Sequence, residues 1–543
     1  ERERERDHRR VGEARRTTTM HSLSQLTLFL CCAWAGSLLY GEMVAYWVPL
    51  WTCSWPHQSS SSSRMGEKQN LDGHVNVAIL ADPQLMDRTS LGFAPNSLAL
   101  EAAQFYTDLY TRRSFLSSIL PFKPDLILFL GDQFDGGPFL SDQGWDESLN
   151  RFRHIFCLKE QGRNLDVQVY YLSGNHDIGY AGLHSRHPEV ISRFEKEFGM
   201  RNYRFTVQKV DFIVIDAQTL DGPTQGNFTS LTWDFIKNIS NERTPNPRLL
   251  LTHIPLYRPD GTPCGPHRSS PIINQRVVRA GSNQGIMYQN YLTGETSKLL
   301  LDLIKPMLIL SGHDHDQCSV THSTSFGPVT EHTVGTVSWQ QGNLYPSFML
   351  LSVSSPTFSN TTSEGHQLSS NLCFLPMQTH IYLWYASLFV ITLLLLLFWP
   401  TSGFGCWDRC AHLINQFTAT SKEKDEDENC EYEMVWDAEG SMHLVKKATS
   451  KIPVASSNDI GLMGSLRSNA MVRPTAKKQV GQEAVASTVV DMNAEVKLES
   501  RPGKSRVRRV IQRLIRAFQL LLIIAIVNVP LYMMMLFKDW IER

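Results

Sequence analysis

The chain has 543 residues, 42% of them hydrophobic, and a formal net charge of −1. Its mean hydropathy of −0.21 conceals three long apolar runs that emerge only along the chain. Nucleic acid is not expected as a partner, because the basic stretch at 501–516 adjoins an apolar run and is better explained by membrane topology and anionic lipid.

The N-terminal region is predicted to anchor the chain in a membrane. Residues 26–50 are largely apolar and long enough to cross about 30 Å of hydrocarbon, with Glu42 as the one charged residue. Residues 1–25 are rich in arginine and predicted to be cytosolic. Met20 looks like the natural start, so 1–19 are expected to be leader sequence, and cleavage at 33–35 is the alternative to an anchor. We prefer an anchor because apolar residues continue well beyond that site.

A folded domain is predicted at 73–353, after a flexible, serine-rich stalk at 51–72. Short apolar runs predict buried strands, and the stretches between them predict helices at 97–120 and 189–198 and a β-hairpin at 205–217. The strands are predicted at 75–81, 125–130, 167–172, 248–251 and 307–310. The fold class is therefore α/β, a layered mixed-sheet domain with transmembrane helices on both sides.

Five short polar motifs lie at the ends of these apolar runs. Any one of them would be a weak signal, because a strand followed by Asp is usually just a turn, but five in this order are strong. Residues that follow parallel strands converge on one edge of a sheet. The motifs are Asp-Pro-Gln at 82–84, Gly-Asp at 131–132, Gly-Asn-His-Asp at 174–177, Thr-His at 252–253 and Gly-His-Asp-His at 312–315.

Carboxylates, amides and imidazoles in this arrangement indicate a pair of divalent metal ions. Hydrolysis of a phosphate ester needs neutralised phosphoryl charge, an activated water and a stabilised leaving oxygen, and two adjacent metals supply all three. Such ions, roughly 3.5–4 Å apart, take oxygen and imidazole ligands from several loops, and one carboxylate can bridge both. The motifs therefore predict a two-metal phosphoesterase.

In these motifs, and over about 73–353, the chain resembles the calcineurin-like metallophosphoesterases. Their pattern is Asp-x-His, Gly-Asp, Gly-Asn-His-Asp/Glu, a lone His and Gly-His-x-His. The resemblance implies that Asp132 bridges the two ions. The full implied set is Asp82, Asp132 and His315 for one metal, and Asp132, Asn175, His253 and His313 for the second.

The resemblance also implies two catalytic residues next to the metals. His176 would contact the scissile phosphate and help the leaving oxygen depart. Asp177 would orient the imidazole of His176 through a hydrogen bond.

Gln84 departs from the family pattern, which usually has histidine at that position. An amide oxygen can ligate a hard cation, although it matches zinc less well than imidazole does. We therefore expect the cofactors to be two divalent ions, Mn²⁺ rather than zinc. Gln84 is either a ligand or a hydrogen-bonding residue beside a water-filled coordination position.

Tyr257 and Arg258 follow the fourth motif and are the candidate substrate residues. An arginine there could bind a phosphate oxygen bidentately. The alternative is that Arg258 pairs with a structural carboxylate.

Four nearby acids are left outside the ligand set. Asp314 and Asp316 are predicted to be solvated turn residues. Asp87 and Asp135 either support the site through hydrogen bonds or are ordinary loop acids.

Two more membrane spans are predicted at 380–400 and 517–537, with a linker at 354–379 and a short tail at 538–543. The segment between them, 401–516, is predicted to be cytosolic and largely disordered, because most of it lacks hydrophobic periodicity. Basic residues crowd 501–516, so the positive-inside rule places the catalytic domain in the lumen.

Five cysteines would then be lumenal, which is an odd number in an oxidising compartment. Cys264 and Cys318 follow two metal loops whose ends should be near neighbours. A disulfide between them and a pair of buried thiols are equal alternatives. The five are Cys53, Cys157, Cys264, Cys318 and Cys373.

Within the family, the chain looks most like the membrane-anchored branch that removes ethanolamine phosphate from mannoses of glycosylphosphatidylinositol (GPI) anchors. This further resemblance lies at 134–136, 255–258, 338–339 and 346–348. It implies a lipid-linked phosphodiester substrate, such as GPI-anchored proteins, and a place in the endoplasmic reticulum or Golgi membrane. The rival hypotheses are another lumenal phosphomonoesterase or phosphodiesterase, and a non-catalytic membrane adaptor.

Overall fold

The computed structural model describes residues 23–56, 74–94, 97–158, 167–184, 187–223, 227–270, 275–279, 285–354, 367–399, 432–436, 442–446 and 506–541. The strands are β1 (His74–Leu80), β2 (Leu126–Phe129), β3 (Gln168–Tyr171), β4 (Tyr203–Val207), β5 (Val210–Ile215), β6 (Arg248–Thr252), β7 (Val277–Arg279), β8 (Ile286–Gln289), β9 (Leu308–Ser311), β10 (Cys318–Thr324), β11 (Gly327–Thr333), β12 (Ser347–Ser354), β13 (Gln367–Phe374), β14 (Tyr432–Trp436) and β15 (Met442–Lys446). The helices are α1 (Leu23–Thr52), α2 (Leu98–Arg113), α3 (Asp142–Phe156), α4 (Asn175–Ile178), α5 (Ala181–His184), α6 (Pro188–Phe198), α7 (Ala217–Leu220), α8 (Asn227–Asn241), α9 (Gly294–Ile304), α10 (Gln378–Phe398) and α11 (Arg506–Lys538).

Two mixed sheets form the centre of the domain. The first has the strand order β13-β12-β1-β2-β3, and the second has the order β10-β11-β9-β6-β5-β4. Strands β1, β2 and β3 are parallel to one another, as are β5, β6, β9 and β11. The remaining neighbours in both sheets pair antiparallel. The predicted mixed-sheet α/β class is confirmed, and each of the five predicted strands is present within about one residue of its expected bounds.

Strand β1 explains how the layers form. Val77 and Ile79 pack between the two sheets, whereas Ala78 and Leu80 face the outer helices. Successive side chains of a strand point to opposite faces, so a strand that is covered on both faces must be apolar throughout. Strands β5, β6 and β9 repeat the pattern against α8 and α9. The domain therefore has four layers, with the two sheets between two layers of helices.

The helices begin where the sequence supplies caps. The Ser97 side chain accepts a hydrogen bond from the Leu100 N–H at the start of α2, and Ser141 caps α3 in the same way. The predicted helix at 97–120 continues past α2 through a π-helical turn at Ser114–Ile119. The predicted helix at 189–198 and the hairpin at 205–217 are confirmed as α6 and the β4–β5 pair.

Three helices in the described part of the chain are long and apolar enough to cross a membrane. These stretches are Leu23–Thr52, Gln378–Phe398 and Val510–Lys538. Leu30 of α1 packs with Leu396 of α10, and the Trp34 Nε1 donates a hydrogen bond to Thr392 Oγ1 at 3.0 Å. The membrane helices α1 and α10 therefore contact each other.

Buried charges connect these helices to the domain. Arg113, whose side chain is 2% exposed, pairs with Glu42 of α1 and, at 3.2 Å, with Asp539 just after α11. The neighbouring Arg112 Nε donates to the Asp539 carbonyl at 2.7 Å. Glu42, the charged residue of the first predicted span, therefore has a partner in the domain and does not face lipid.

Three predicted segments differ from the structure. In the predicted stalk, Trp55 is buried and donates to the Phe122 carbonyl at 3.1 Å, and Cys53 forms a disulfide with Cys373. In the predicted linker, 367–374 forms β13, which pairs with β12 along its full length. In the predicted disordered segment, β14 and β15 form a hairpin and α11 begins at 506; the other residues of 401–505 lie outside the described part.

A second disulfide joins Cys264 and Cys318. Of the two alternatives for these cysteines, a disulfide or a pair of buried thiols, the disulfide is confirmed.

Candidate metal centre

All five motifs meet at one edge of the facing sheets, directly after β1, β2, β3, β6 and β9. Parallel strands present their carboxyl ends at the same edge, which explains the convergence. Two groups of three potential ligands each have their ligand atoms within 4.8 Å of one another, and Asp132 belongs to both groups. The groups are Asp82, Asp132 and His315, and Asp132, His253 and His313.

Backbone carbonyls fix which nitrogen each histidine offers. The His253 Nδ1 lies 2.8 Å from the Leu130 carbonyl oxygen, and the His313 Nε2 lies 3.0 Å from that of Gln289. A carbonyl can only accept, so these nitrogens carry the protons, and the opposite nitrogen of each ring is left with its lone pair. The His253 Nε2 accordingly lies 3.2 Å from the Asn175 Oδ1 and 3.2 Å from an oxygen of Asp132.

The ligand loops have unusual backbone geometry. Five site residues adopt the left-handed region, which residues other than glycine rarely enter. Contacts across loops hold them there; the His313 N–H, for example, lies 3.1 Å from both carboxylate oxygens of Asp82. Strained residues of this kind cluster at functional sites. They are Asp82 (φ 50°), Gln84 (38°), Asp132 (54°), His313 (67°) and His315 (57°).

Two glycines allow the ligands to approach this closely. Gly131 has a φ of 103°, and a Cβ there would lie 2.5 Å from the His253 Nδ1. A Cβ on Gly174 would lie 1.9 Å from an oxygen of Asp132. Any side chain at either position would displace a ligand.

The chemistry of the cluster fits divalent cations. Burial raises the pKa of Asp82, and no described arginine or lysine pairs with Asp82 or Asp132. The Gln84 Nε2 donates to Asp132 at 3.2 Å, while its buried Oε1 has no hydrogen-bond partner. Burial lowers the pKa of His313 to about 3 and that of His315 to about 4, so both rings are neutral, which is the form that binds metal.

Asp132 and His253 form a coupled pair between the two groups. Burial opposes their charges, but the Asp132 carboxylate raises the pKa of His253, and His253 lowers the pKa of Asp132. The His253 Nε2 and the Asp132 oxygen, 3.2 Å apart, belong to one ligand group, so a metal ion would bind there only when this nitrogen carries no proton.

His176 lies beside the ligand groups with 19% of its side chain exposed. Its Nδ1 lies 2.5 Å from the Asp135 carbonyl oxygen and 3.6 Å from the Asp135 Oδ1. The Ser90 hydroxyl donates to the other carboxylate oxygen of Asp135 at 2.5 Å. Burial lowers the pKa of His176, but the carboxylates of Asp132 and Asp135 raise it by more. The protonated ring that a general acid requires is therefore favoured.

The predicted bond between Asp177 and the imidazole of His176 is wrong. Asp177 instead holds the loop that carries Asp132, and Asp135 contacts the ring. For Asp135, this confirms the alternative that it supports the site through a hydrogen bond. The Asp177 carboxylate accepts backbone N–H groups from Asp132 (2.9 Å), Gln133 (2.8 Å), Phe134 (3.2 Å) and Gly174 (2.8 Å).

The prediction that Arg258 contacts substrate is also wrong, and the structural alternative is confirmed. Arg258 is fully buried; its guanidinium lies 3.3 Å from Glu331 and 3.7 Å from Asp314 and donates to the Thr333 hydroxyl. Tyr257 remains at the surface with 39% exposed. Of the two candidate substrate residues, Tyr257 alone is accessible.

Asp314 and Asp316 are buried, so their prediction as solvated turn residues is wrong. Asp314 accepts hydrogen bonds from Arg268 at 2.7 Å and from the Tyr291 hydroxyl at 3.1 Å. Asp316 accepts the backbone N–H groups of residues 269 and 270 at 2.7 and 2.9 Å. Both acids therefore attach residues 268–270 to the turn that carries His313 and His315.

Comparisons with known proteins agree with this geometry. The model of the calcineurin-like phosphoesterase family matches residues 75–317, a range that contains all five motifs. Cell division control protein 1 of Saccharomyces cerevisiae is 30% identical over 366 residues, which cover 65% of this chain and 70% of that protein. Metallophosphoesterase 1 of Pongo abelii is 28% identical, covering 67% of this chain and 87% of its own length. The Metallophosphoesterase 1 homolog of Drosophila melanogaster is 28% identical, covering 58% and 80%.

Proposed function

Because this chain belongs to the calcineurin-like phosphoesterase family and is thus a metal-dependent phosphoric ester hydrolase, we propose that it removes ethanolamine phosphate from GPI-anchor mannose. The observation that carries the phosphoester chemistry is the pair of ligand groups that share Asp132. The lipid-linked substrate is supported by the resemblance to the GPI-remodelling branch and by the apolar helices that flank the domain. In this role the protein acts during anchor remodelling and transport from the endoplasmic reticulum to the Golgi.

Two divalent ions in this centre would neutralise phosphoryl charge, activate water and stabilise the leaving oxygen. The unpartnered amide oxygen of Gln84, in the place of a family histidine, supports Mn²⁺ over zinc. In the assignment that we propose, one ion would be held by Asp82, Gln84, Asp132 and His315, and the other by Asp132, Asn175, His253 and His313.

His176 supplies the proton in the proposed reaction. Its Nδ1 donates to the Asp135 carbonyl, so Nε2 is the nitrogen that is free to protonate the leaving oxygen. Asp135 keeps the ring in this orientation, and Asp177 keeps the bridging carboxylate in place through backbone N–H groups. In this reaction a water molecule would attack phosphorus in line with the mannose oxygen, the P–O bond to mannose would break, and the proton from the His176 Nε2 would pass to that oxygen.

We place the catalytic domain in the lumen of the endoplasmic reticulum or Golgi. The two disulfides support an oxidising compartment, and the bond between Cys53 and Cys373 lies close to both α1 and α10. The basic residues before the third span support the same orientation. Glycosylation triplets occur at 227–229, 238–240 and 360–362, and the Asn238 side chain is exposed on α8.

The test is turnover by the full-length protein in detergent, stripped of metal and reloaded with manganese, zinc or magnesium. The substrate is a glycan that bears mannose-linked ethanolamine phosphate. We expect manganese-dependent release of ethanolamine phosphate that Asp132→Asn abolishes. Hydrolysis of an aryl phosphodiester without this release would retain the metal chemistry and reject the substrate. No turnover of either compound by metal-loaded protein would favour the adaptor.

A further inference from the structure

An apolar groove of about 420 Å³ lies where the first two membrane helices meet the domain. Its volume is within the usual range of ligand sites, about 300–1,000 Å³. Its walls come from α1, from α10 and from the segment between β13 and α10. The residues that matter most are Tyr40, Val48, Phe374, Leu375, Ile381 and Trp384.

The groove lies at the domain end of both membrane helices. Helix α10 begins at Gln378, so Ile381 and Trp384 are about 5–9 Å along its axis. Tryptophan and tyrosine are enriched at the boundary between lipid headgroups and hydrocarbon, and both residue types line the groove near this end of α10.

The polar tips of two aromatic side chains beside the groove are already hydrogen-bonded to the protein. The Trp384 Nε1 donates to the Ser37 hydroxyl at 3.1 Å, and the Tyr385 hydroxyl donates to Glu42 at 3.1 Å. What these rings can offer a ligand is therefore mainly their hydrocarbon faces. Apart from the exposed Tyr40 and His380, most of the lining is apolar, so a hydrocarbon chain is the occupant that suits it.

One loop connects the groove to the metal centre. We call 338–346, between β11 and β12, the bridging loop. On the membrane side, the ring of Trp339 packs 5.6 Å from that of Tyr382 in α10. The ring of Tyr345 lies 6.2 Å from that of Phe374, which lines the groove.

The other side of the bridging loop contacts two residues of the metal centre. The Gln340 Nε2 donates to the Gln84 carbonyl at 3.0 Å, and the Asn343 Nδ2 donates to the His315 carbonyl at 2.8 Å. Leu344 lies between Asn343 and Tyr345 in the sequence, and its side chain is exposed. A molecule that spans the loop would thus touch the groove at one end and the metal ligands at the other.

Resting on the proposed function, we propose that the groove binds a hydrocarbon chain of the lipid-linked substrate while the phosphodiester reaches the metal centre across the bridging loop. The junction around the groove is braced on both sides. The disulfide between Cys53 and Cys373 joins the segments that follow α1 and precede α10, and the pair between Arg113 and Glu42 ties α1 to α2. The distance between groove and metal centre is therefore set by the fold, which selects substrates whose lipid and phosphodiester are suitably spaced.

The first test fills the groove. Ile381→Trp, and Val48→Trp from the opposite wall, place an indole where the chain would lie. Leu383→Trp is the matched control, because Leu383 is two residues further along α10, 59% exposed and not part of the groove. All variants are prepared as full-length protein, and thermal unfolding checks their folding.

We expect both groove variants to raise KM for the lipid-linked glycan about tenfold, since a displaced chain loses the burial of a few methylene groups. Their kcat and their kinetics on the same glycan without lipid should match those of the wild type and of Leu383→Trp. Folded groove variants with a wild-type KM for the lipid-linked glycan would overturn the proposal.

The second test measures binding and does not require turnover. Full-length protein in phosphatidylcholine nanodiscs is irradiated with a lipid-linked glycan that carries a diazirine on its hydrocarbon chain, and the modified peptides are mapped by mass spectrometry. We expect labelling at 37–52 and 374–385 that Ile381→Trp reduces and that unlabelled lipid-linked glycan displaces. Equal displacement by added phosphatidylcholine, or labelling unchanged in Ile381→Trp, would show that the groove takes only bulk lipid and overturn the proposal. Failure of the proposed function would instead appear as groove labelling without release of ethanolamine phosphate.

Discussion

Two buried charged clusters lie side by side in this domain, and they solve the problem of buried carboxylates in opposite ways. In the metal centre, Asp82 and Asp132 face imidazoles and have no arginine or lysine partner among the described residues. In the adjacent cluster, which we call the arginine cluster, the carboxylates meet guanidinium groups. Its ion pairs are Arg258 with Glu331 at 3.3 Å, Arg258 with Asp314 at 3.7 Å and Arg268 with Asp314 at 2.7 Å.

The difference teaches where each cluster obtains its positive charge. A buried carboxylate is costly unless a cation compensates it. Burial raises the pKa of Asp82, whereas Arg258 and hydrogen bonds lower the pKa of Glu331 to about 2 despite its burial. The arginine cluster carries its own cations, whereas the metal centre would take its cations from solution. The two are joined through Asp314, which lies between His313 and His315 and is fixed by the guanidinium of Arg268.

The largest expected effect comes from removing the shared carboxylate of the metal centre. Asp132→Asn keeps the shape but removes the anion common to both ligand groups, so metal occupancy should fall. Turnover should drop by about 10⁴-fold or more, because metal ions contribute several kcal/mol to transition-state stabilisation. Metal content by mass spectrometry and hydrolysis of an aryl phosphodiester measure both quantities. Full metal occupancy and wild-type activity in Asp132→Asn would show that this carboxylate does not depend on a metal ion, and would contradict the contrast between the two clusters.

His176→Ala separates chemistry from metal binding. The variant should retain its metal and lose roughly 10²–10⁴-fold in kcat, as expected for removal of a general acid. Asp135→Asn should cause a smaller loss, because the backbone carbonyl that contacts the His176 Nδ1 remains. Unchanged turnover in His176→Ala would rule out its proposed role.

Breaking the arginine cluster should affect stability more than metal affinity. Arg258→Leu leaves Glu331 buried without its guanidinium and should lower the free energy of unfolding by about 3–5 kcal/mol. Arg88→Leu is the matched control, because the ion pair of Arg88 with Glu147 is exposed and is worth about 0.2–1 kcal/mol. Guanidinium titration followed by tryptophan fluorescence compares the two. Equal losses in the free energy of unfolding for the two variants would mean that burial does not strengthen the ion pair between Arg258 and Glu331.

The same cluster gives a pH prediction. Glu331 has a lower pKa in the folded protein, about 2, than the value near 4.3 expected on unfolding. Its contribution, on the order of 3 kcal/mol, is therefore present above about pH 4.3 and is lost as the pH falls toward the folded value. The stability difference between the wild type and Glu331→Gln, both free of metal, should shrink between about pH 5 and pH 3. A stability difference that stays constant between pH 5 and pH 3 would contradict a lowered pKa of Glu331 in the folded protein.

The two clusters also differ in how far the sequence could reveal them. The metal motifs follow apolar strands, and both signals are local, so the strands and the residues at their ends could be recognised together. Arg258 has no such local signal, because its hydroxyl partner Thr333 is 75 residues away and acquires its position only when β11 pairs with β9. The sequence therefore left two alternatives open for Arg258, and the tertiary structure decides for the pair with a structural carboxylate.

Strand β13 was missed for a related reason. Its sequence, 367–374, is half polar, and the strand lies at the edge of the first sheet, where one side has no neighbour among the described strands. Its position depends on pairing with β12 and on the disulfide at Cys373. The exchange of roles between Asp135 and Asp177 is similar, since adjacency to His176 in sequence favoured Asp177 while the fold brings Asp135 to the ring.

The smallest expected effect concerns Gln84 and tests whether this residue is a metal ligand. Gln84→Ala should weaken manganese binding about tenfold, either because the amide oxygen is a ligand or because the hydrogen bond from the Gln84 Nε2 to Asp132 is lost. Gln340→Ala is the matched control, since this neighbouring glutamine contacts the Gln84 carbonyl and lies outside the ligand groups. Gln84→His should shift the preference toward zinc, because imidazole suits zinc better than an amide oxygen does. Competition titrations with manganese and zinc on the full-length variants measure both changes, and the same metal preference in Gln84→His and the wild type would remove Gln84 from the ligand set.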